Sequence, residues 1–399
     1  MMSGEPKVEP FRIQVPQERL DDLAWRLDHA RFPHDFANED WSYGVNGDYL
    51  RSLVDYWRTD YDWRAQEGLI NLFSHYRTVI DDVPIHFIRQ PGKGPNPIPI
   101  ILSHGWPWSF WDFKDVILPL ANPVAFGGEA IDAFEVIVPS LPGFGFSTPV
   151  AKTGVNFAST ADLWKTLMVD VLGFDRFAAH GGDWGTLVTS ALAHKYPEHV
   201  IGMHTTMVAP LTVYSVERPW DLTGGVPVPP EMPAAEREAI FAWQKRIASH
   251  VAVHMIDPQT LSYALHDSPV GLLAWLIKGR HSWGDTRGDI ESRFDKDFLI
   301  TTAMIYWITD SFVTTARYYA EASRTPWQPT HPGTSVRVPA GLSIMPRDGT
   351  YGPFTSGDPG EIYENIVYHV VNDDGGHFSP LEVPDTIVRD IRATFRSLR

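Results

Sequence analysis

The residues with the strongest chemical signature lie in residues 180–187, HGGDWGTL, where Asp183 stands between Gly181 and Gly185 in a G-x-D-x-G spacing. That spacing suits a strand that turns sharply into a helix and lifts one side chain above the sheet. Glycines two positions to either side are required because larger residues would collide in the turn. An apolar FAAH precedes the motif and a helical GTLVTSALAHKY follows it, so its context agrees. A serine hydrolase carries serine at the centre, and no G-x-S-x-G occurs in the chain, which counts against esterase or lipase chemistry. A carboxylate at that place attacks a saturated carbon bearing a leaving group and forms an alkyl ester. The bland reading is a polar turn residue, but that would not require both glycines, the strand and the helix together.

A nucleophile needs a base and a group that orients the base. In this kind of fold the chain order is nucleophile, acid, histidine. His377, in DDGGHFSP after the strand-like VYHVV, is the expected base, against the plain reading of a surface-loop histidine. Asp348, in the loop after GLSIMP, is the expected acid; its plain reading is a D-G turn residue. Asp373 and Asp374 lie too close to His377 in sequence for that role. The loop SHGWPWSF after IPIIL can aim a backbone N–H into the site. Trp106 and Trp184 are therefore the expected main-chain donors to an oxyanion, with their indoles free to line an apolar pocket. His377 then activates water against the ester carbonyl. A ring-oxygen leaving group needs an acid to protonate it; a halide needs a cradle.

These groups must be held by a scaffold, and the patterning supplies one. HYRTVIDDVPIHFIRQ reads as a hairpin. IPIIL, FEVIVPS and FAAH read as strands alternating with helical SFWDFKDVILPL, TADLWKTLMVDVLG and GTLVTSALAHKY. Such alternation predicts an α/β fold with a mostly parallel central sheet flanked by helices. It lapses over 211–326, where AAEREAIFAWQKRIASHVAVHM and DFLITTAMIYWITDSFVTTARYYAEA read as helices. It resumes with SVRVPAGLSIMP, a helix at DPGEIYENI, the strand VYHVV and a closing helix. The expected division is an N-terminal helical meander with the first hairpin (1–95), a first core part (96–210), a helical cap (211–326) and a second core part (327–399).

Bulk properties narrow the partners. The 399 residues carry a formal charge of −16, which disfavours nucleic acid and anionic membrane surfaces. With no cysteine, disulfides, thiolate nucleophiles and cysteine metal sites are excluded. The first 20 residues contain no apolar h-region, and no apolar run is long enough for a spanning helix, so a cytoplasmic protein without a membrane anchor is expected. Monomer and homodimer both remain open.

HGWPWSF, GGDWG, ALHDSPVGLLAW and GGHF, in that order, resemble the microsomal-type epoxide hydrolases. FRIQVPQERLDDLAWRL and DYWRTDYDWRAQEGLINLF are similar to that family's N-terminal meander, so the resemblance runs from about Phe11 to the C-terminus. It implies an α/β-hydrolase fold and a soluble, bacterial-like enzyme that adds water to an epoxide to give a vicinal diol. It further implies Asp183 as nucleophile, His377 as base, Asp348 as acid partner, no cofactor and no metal. Some members carry glutamate in place of Asp348.

The resemblance also implies two cap tyrosines that pull on the epoxide oxygen. One maps to Tyr319 in ARYYAE, with neighbouring Tyr318 leaving the register open by one residue. The other falls on His250, where this chain departs from the pattern. His250 replaces the phenol as donor, or Tyr319 acts alone, or the reaction is altered. An imidazole with its ordinary pKa would change its donor capacity across the working range. His250 and His254 have i, i+4 spacing, but no HExxH glutamate follows and no third ligand is evident. Trp243 and Gln244, in FAWQKR, are candidates for the pocket wall; cap core is the plainer reading of Trp243. A haloalkane-type dehalogenase with the same Asp-His-Asp triad is the nearest rival reading. A non-catalytic binder on the same fold is the third.

Overall fold

The computed structural model describes residues 7–216, 219–221, 228–350 and 358–399. Its sheet has nine strands in the order β1-β2-β3-β5-β4-β6-β7-β8-β9. These are β1 Glu9–Phe11, β2 His75–Ile80, β3 Val83–Gln90, β4 Ile98–Ser103, β5 Phe134–Pro139, β6 Phe177–Gly181, β7 Val200–Thr205, β8 Ala340–Ile344 and β9 Ile366–Val371. The strands from β5 through β9 along the sheet pair in parallel, and β1, β2 and β3 add an antiparallel edge. The β2–β3 hairpin turns on Asp81 and Asp82, both at positive φ (50° and 63°), which two-residue hairpins of this hand require.

Helices α1 Gln17–Asp28, α2 Gly47–Thr59 and α3 Trp63–Ile70 form the N-terminal meander. The α2 start is fixed by Asn46, whose side chain accepts from the Tyr49 N–H. Helices α4 Lys114–Ala121, α5 Phe157–Lys165 and α6 Trp184–Lys195 connect the central strands. The parallel core strands are buried on both faces: β4, β5 and β6 are almost wholly enclosed.

Between β7 and β8 lie α7 Ala234–Ile256, α8 Pro258–Asp267, α9 Pro269–Trp283, α10 Lys296–Ile308 and α11 Phe312–Arg324. The stretch 297–322 reads as continuously helical in sequence but is two helices, broken where Asp310 takes φ 53°. DPGEIYENI forms only the single turn Pro359–Ile362. The strands β1 and β7 gave no clear pattern in sequence: one is three residues long, and the other holds Gly202 and His204 among its apolar residues. No described helix is long and apolar enough to cross a membrane.

Candidate active site

The elbow forms where the spacing predicts it. Asp183 lies between β6 and α6 at φ 52° and ψ −125°, a conformation L-residues rarely adopt. A Cβ on Gly181 would strike the Gly185 carbonyl, and one on Gly185 would strike the Ser103 carbonyl of β4. Gly105 faces the other side of the turn, where a Cβ would collide with the Asp183 side chain. The elbow is thus a three-glycine clearance around one carboxylate.

The two oxygens of that carboxylate have different environments. Oδ1 accepts the Trp106 N–H at 2.8 Å. Oδ2 lies 3.3 Å from His377 Nε2, an ion-pair distance without the alignment of a hydrogen bond. Trp184 begins α6, so its N–H belongs to a first helical turn whose donors lack intrahelical acceptors. On the far side of the imidazole, His377 Nδ1 lies 3.2 Å from both Asp348 oxygens. Thr350, which sequence reasoning passed over, donates to Asp348 Oδ1 through its hydroxyl (2.6 Å) and its N–H (2.8 Å). Its hydroxyl is also 3.1 Å from His377 Nδ1.

These charges set the proton affinities. Burial alone would drive the His377 proton off, but Asp348 and Asp183 outweigh it and raise its pKa to about 10. Burial pushes the Asp348 carboxyl up, and the His377 charge with the Thr350 and His377 hydrogen bonds brings it below the usual value.

The cavity above Asp183 holds about 830 Å³ of free space, its open mouth included. Most of its described wall is apolar, including Trp184, Leu187, Met207, Trp243, Ile247 and Trp283. Tyr319 lies on the wall, 4.6 Å in ring-centroid distance from Trp184. Tyr318 points elsewhere: its hydroxyl pairs with Thr160 Oγ1 at 2.8 Å inside the core. Burial first, and the Asp183 charge second, push the Tyr319 phenol well above its ordinary pKa. Tyr214, after β7, flanks the same indole at 5.0 Å and also lines the cavity. Its phenol is likewise pushed up by burial and by Asp183. No periodic pattern marked it in the sequence.

His250 lines the cavity and lies flat on Trp106, ring centroids 5.0 Å apart and planes 6° from parallel. Its surroundings differ from those of an ordinary exposed imidazole. Burial, then the neighbouring His254, push its pKa well below the ordinary 6.5 and so favour the neutral ring. His254 Nε2 accepts from Trp275 Nε1 at 3.0 Å, and burial lowers its pKa to about 3. Two further pocket candidates, Trp106 and Gln244, are not among the described residues that line the cavity. The Trp106 ring stacks on His250, and Gln244 follows Trp243 by one 100° helical step. Trp243 itself lines the cavity and donates its indole N–H to the Thr350 carbonyl at 2.8 Å.

The loop that carries the Trp106 N–H is pinned from α9 and α10. The Arg280 guanidinium donates to Asp112 Oδ1 at 2.6 Å and to the Pro107 carbonyl at 3.0 Å, and it stacks 4.0 Å from the Phe378 ring centroid. Tyr306 donates to the Trp108 carbonyl at 2.8 Å. The Trp283 carbonyl, which closes α9, accepts from both the Gly349 N–H (3.0 Å) and the His377 N–H (3.1 Å). Glu382 accepts from the Phe378 and Asp285 N–H groups, each at 2.7 Å, and burial lifts its pKa to about 7. The sequence of α9, PVGLLAWLIKGRHSW, carries two cations, Lys278 and Arg280, and nothing in it shows which of them is buried against a partner.

A carboxylate at a strand–helix elbow, faced by a histidine and a second carboxylate from loops after later strands, defines an α/β-hydrolase. A family model described as the alpha/beta hydrolase fold matches residues 98–244, and one described as the epoxide hydrolase N terminus matches residues 8–113. A putative epoxide hydrolase of Stigmatella aurantiaca is 39% identical over 392 residues, covering 98% of this chain and 86% of its own. Epoxide hydrolase 1 of Oryctolagus cuniculus is 33% identical, covering 97% of this chain and 88% of its own. The crystal structure of juvenile hormone epoxide hydrolase from the silkworm Bombyx mori superposes with a TM-score of 0.83 at 29% identity, covering 99% of this chain and 95% of that one. The chain belongs to the epoxide hydrolase family.

Proposed function

We propose that this epoxide hydrolase opens apolar epoxides through an ester on Asp183, with 211–326 working as a cap over the core parts 96–210 and 327–399 and over the 1–95 meander. The observation that carries the reading is the division of labour at Asp183: Oδ1 is held by the Trp106 N–H at 2.8 Å while Oδ2 lies 3.3 Å from His377 Nε2. Oδ2 attacks an epoxide carbon and the ring C–O bond breaks. Tyr319 and Tyr214 donate to the departing oxygen, which takes up one proton. The neutral ester no longer holds the His377 imidazolium as the carboxylate did, so the imidazole releases one proton and the count closes.

In the second half, His377 takes a proton from water, which attacks Asp183 Cγ. The Trp106 and Trp184 N–H groups receive the charge on Oδ1. Collapse breaks the Cγ–Oδ2 bond, His377 returns the proton to the leaving oxygen, and the diol departs. Asp348 and Thr350 orient the imidazole. His250 supplies at most a neutral imidazole N–H beside the phenols.

The apolar wall supports a hydrophobic substrate. A halide cradle is not supported, since it needs two converging donors and the Trp106 indole lies behind His250. No partner copy is needed to line the described cavity, so a homodimer would leave the chemistry unchanged. A cytoplasmic location belongs to the same proposal, with cell fractionation as its check.

Single turnover in oxygen-18 water tests the mechanism. The first diol should be essentially unlabelled, with the label in Asp183; immediate labelling of the diol overturns the ester route.

A further inference from the structure

A second cleft lies on the other face of α7, between that helix, α9 and the N-terminal meander. It holds about 1850 Å³ of free space, its open mouth included. The faces of α7 divide cleanly: Trp243, Ile247, His250 and Val251 front the catalytic cavity, and Lys245, Arg246 and Ser249 front the cleft. No described residue lines both.

Its charge is the opposite of the molecule's. In a chain of net charge −16, Arg31, Lys245, Arg246 and Lys278 line this one cleft, and its described lining includes no aspartate or glutamate. None of the four makes an ion pair among the described residues. Arg246 Nε is used on the Gly349 carbonyl at 3.0 Å. Among the described residues Lys278 Nζ reaches neutral oxygens, the Arg246 carbonyl at 2.5 Å and Ser249 Oγ at 3.5 Å. Asp40 feels the Lys245 charge, but Ser42 accounts for most of its lowered pKa. Burial without a counter-anion lowers the Lys278 pKa to about 8.

The remaining wall is mostly apolar and aromatic, with Phe32, Trp41, Tyr43 and Trp275 its rings, and four serines (Ser42, Ser249, Ser268 and Ser282) interrupt it. Trp41 is held in place by stacking on His281, centroids 4.0 Å apart and planes 6° from parallel. Uncompensated cations at the rim and floor of an apolar cleft fit one ligand chemistry, an anionic head on an apolar body. We propose that this cleft binds an anionic amphiphile of the fatty-carboxylate class, at a site separate from the catalytic cavity.

Decanoate is the probe, measured by calorimetry on the full chain beside 1-decanol and acetate, with styrene oxide turnover followed in parallel. Decanoate should bind at least tenfold tighter than either control, and its binding should not compete with styrene oxide. Arg31→Glu with Lys245→Glu, both at exposed positions, should weaken decanoate at least tenfold while turnover is unchanged. Lys278→Met, checked for folding by its unfolding midpoint, should weaken it as well. Equal binding of 1-decanol means that only the apolar wall matters, and equal binding of acetate means that only the charge does; either overturns the proposal. Competition with styrene oxide, or binding indifferent to charge reversal, overturns it too.

Discussion

Arg280 Nη1 lies 2.6 Å from Asp112 Oδ1, and neither side chain is more than 1% exposed. The pair joins α9 to the loop that carries the Trp106 N–H, because the same guanidinium donates to the Pro107 carbonyl. Removing one member of a buried pair leaves the other charged and unsolvated.

Arg280→Met should therefore cost about 3–5 kcal/mol of stability, read from chemical unfolding. Arg280→Met with Asp112→Asn should recover part of that loss. A double variant no more stable than the single would show that the packing on Phe378, and not the charge pair, carries the effect.

His377 connects pH to both stability and chemistry. Its pKa of about 10 in the fold exceeds the roughly 6.5 of an unfolded histidine. Its stabilising contribution is thus complete below about 6.5 and is lost as pH rises through about 10. Asp183→Asn removes one of the two charges that hold the proton. Histidine NMR titration should show the His377 pKa falling in that variant, and the alkaline loss of stability should begin at lower pH. An unmoved titration would mean that Asp348 alone sets the value.

The two phenols that line the cavity, Tyr319 and Tyr214, predict a pattern across three tyrosines. Tyr319→Phe should lower kcat/KM for an epoxide by about 10²-fold or more, the scale of one lost donor to a developing oxyanion. Tyr214→Phe should lower it in the same direction. Tyr318→Phe should leave turnover near wild type and cost only about 1 kcal/mol of stability, since its hydroxyl serves Thr160. Loss of activity in Tyr318→Phe alone would reverse the assignment.

A neutral His250 makes a prediction about shape as well as size. Between pH 6 and 8 the kcat/KM profiles of wild type and His250→Tyr should be parallel, because neither group titrates there. The tyrosine variant should differ by a constant factor that measures what a second phenol adds. An inflection in wild type that disappears in His250→Tyr would show that the buried imidazole does titrate.

The residues that could be recognised in the sequence were those whose constraint is local. Gly181 and Gly185 are demanded by a turn five residues long, and His377 and Asp348 follow from chain order once the elbow is granted. The parallel sheet followed from strand–helix alternation; the reading missed β7, interrupted by Gly202 and His204, and the three-residue antiparallel edge strand β1, and of SVRVPAGLSIMP only Ala340–Ile344 is a strand. What could not be read depends on residues brought from far away. Arg280 and Asp112 are separated by 168 positions. Tyr214 enters the cavity from a segment with no periodicity, and the neutrality of His250 comes from burial, which the identity of the residue does not carry. Tyr318 and Tyr319 differ by one helical step, which only the packing against Thr160 distinguishes.

The Trp283 carbonyl binds the Gly349 and His377 N–H groups together. The end of α9 is therefore a shared bolt for the loops that carry Asp348 and His377. A cap hinged away as a whole to admit substrate would draw that bolt and dismantle the proton-handling pair in the same movement. The proposed mechanism therefore predicts entry with α9 still seated. Denaturant titrations should find activity and the docking of this helix disappearing at one midpoint, as a single cooperative event.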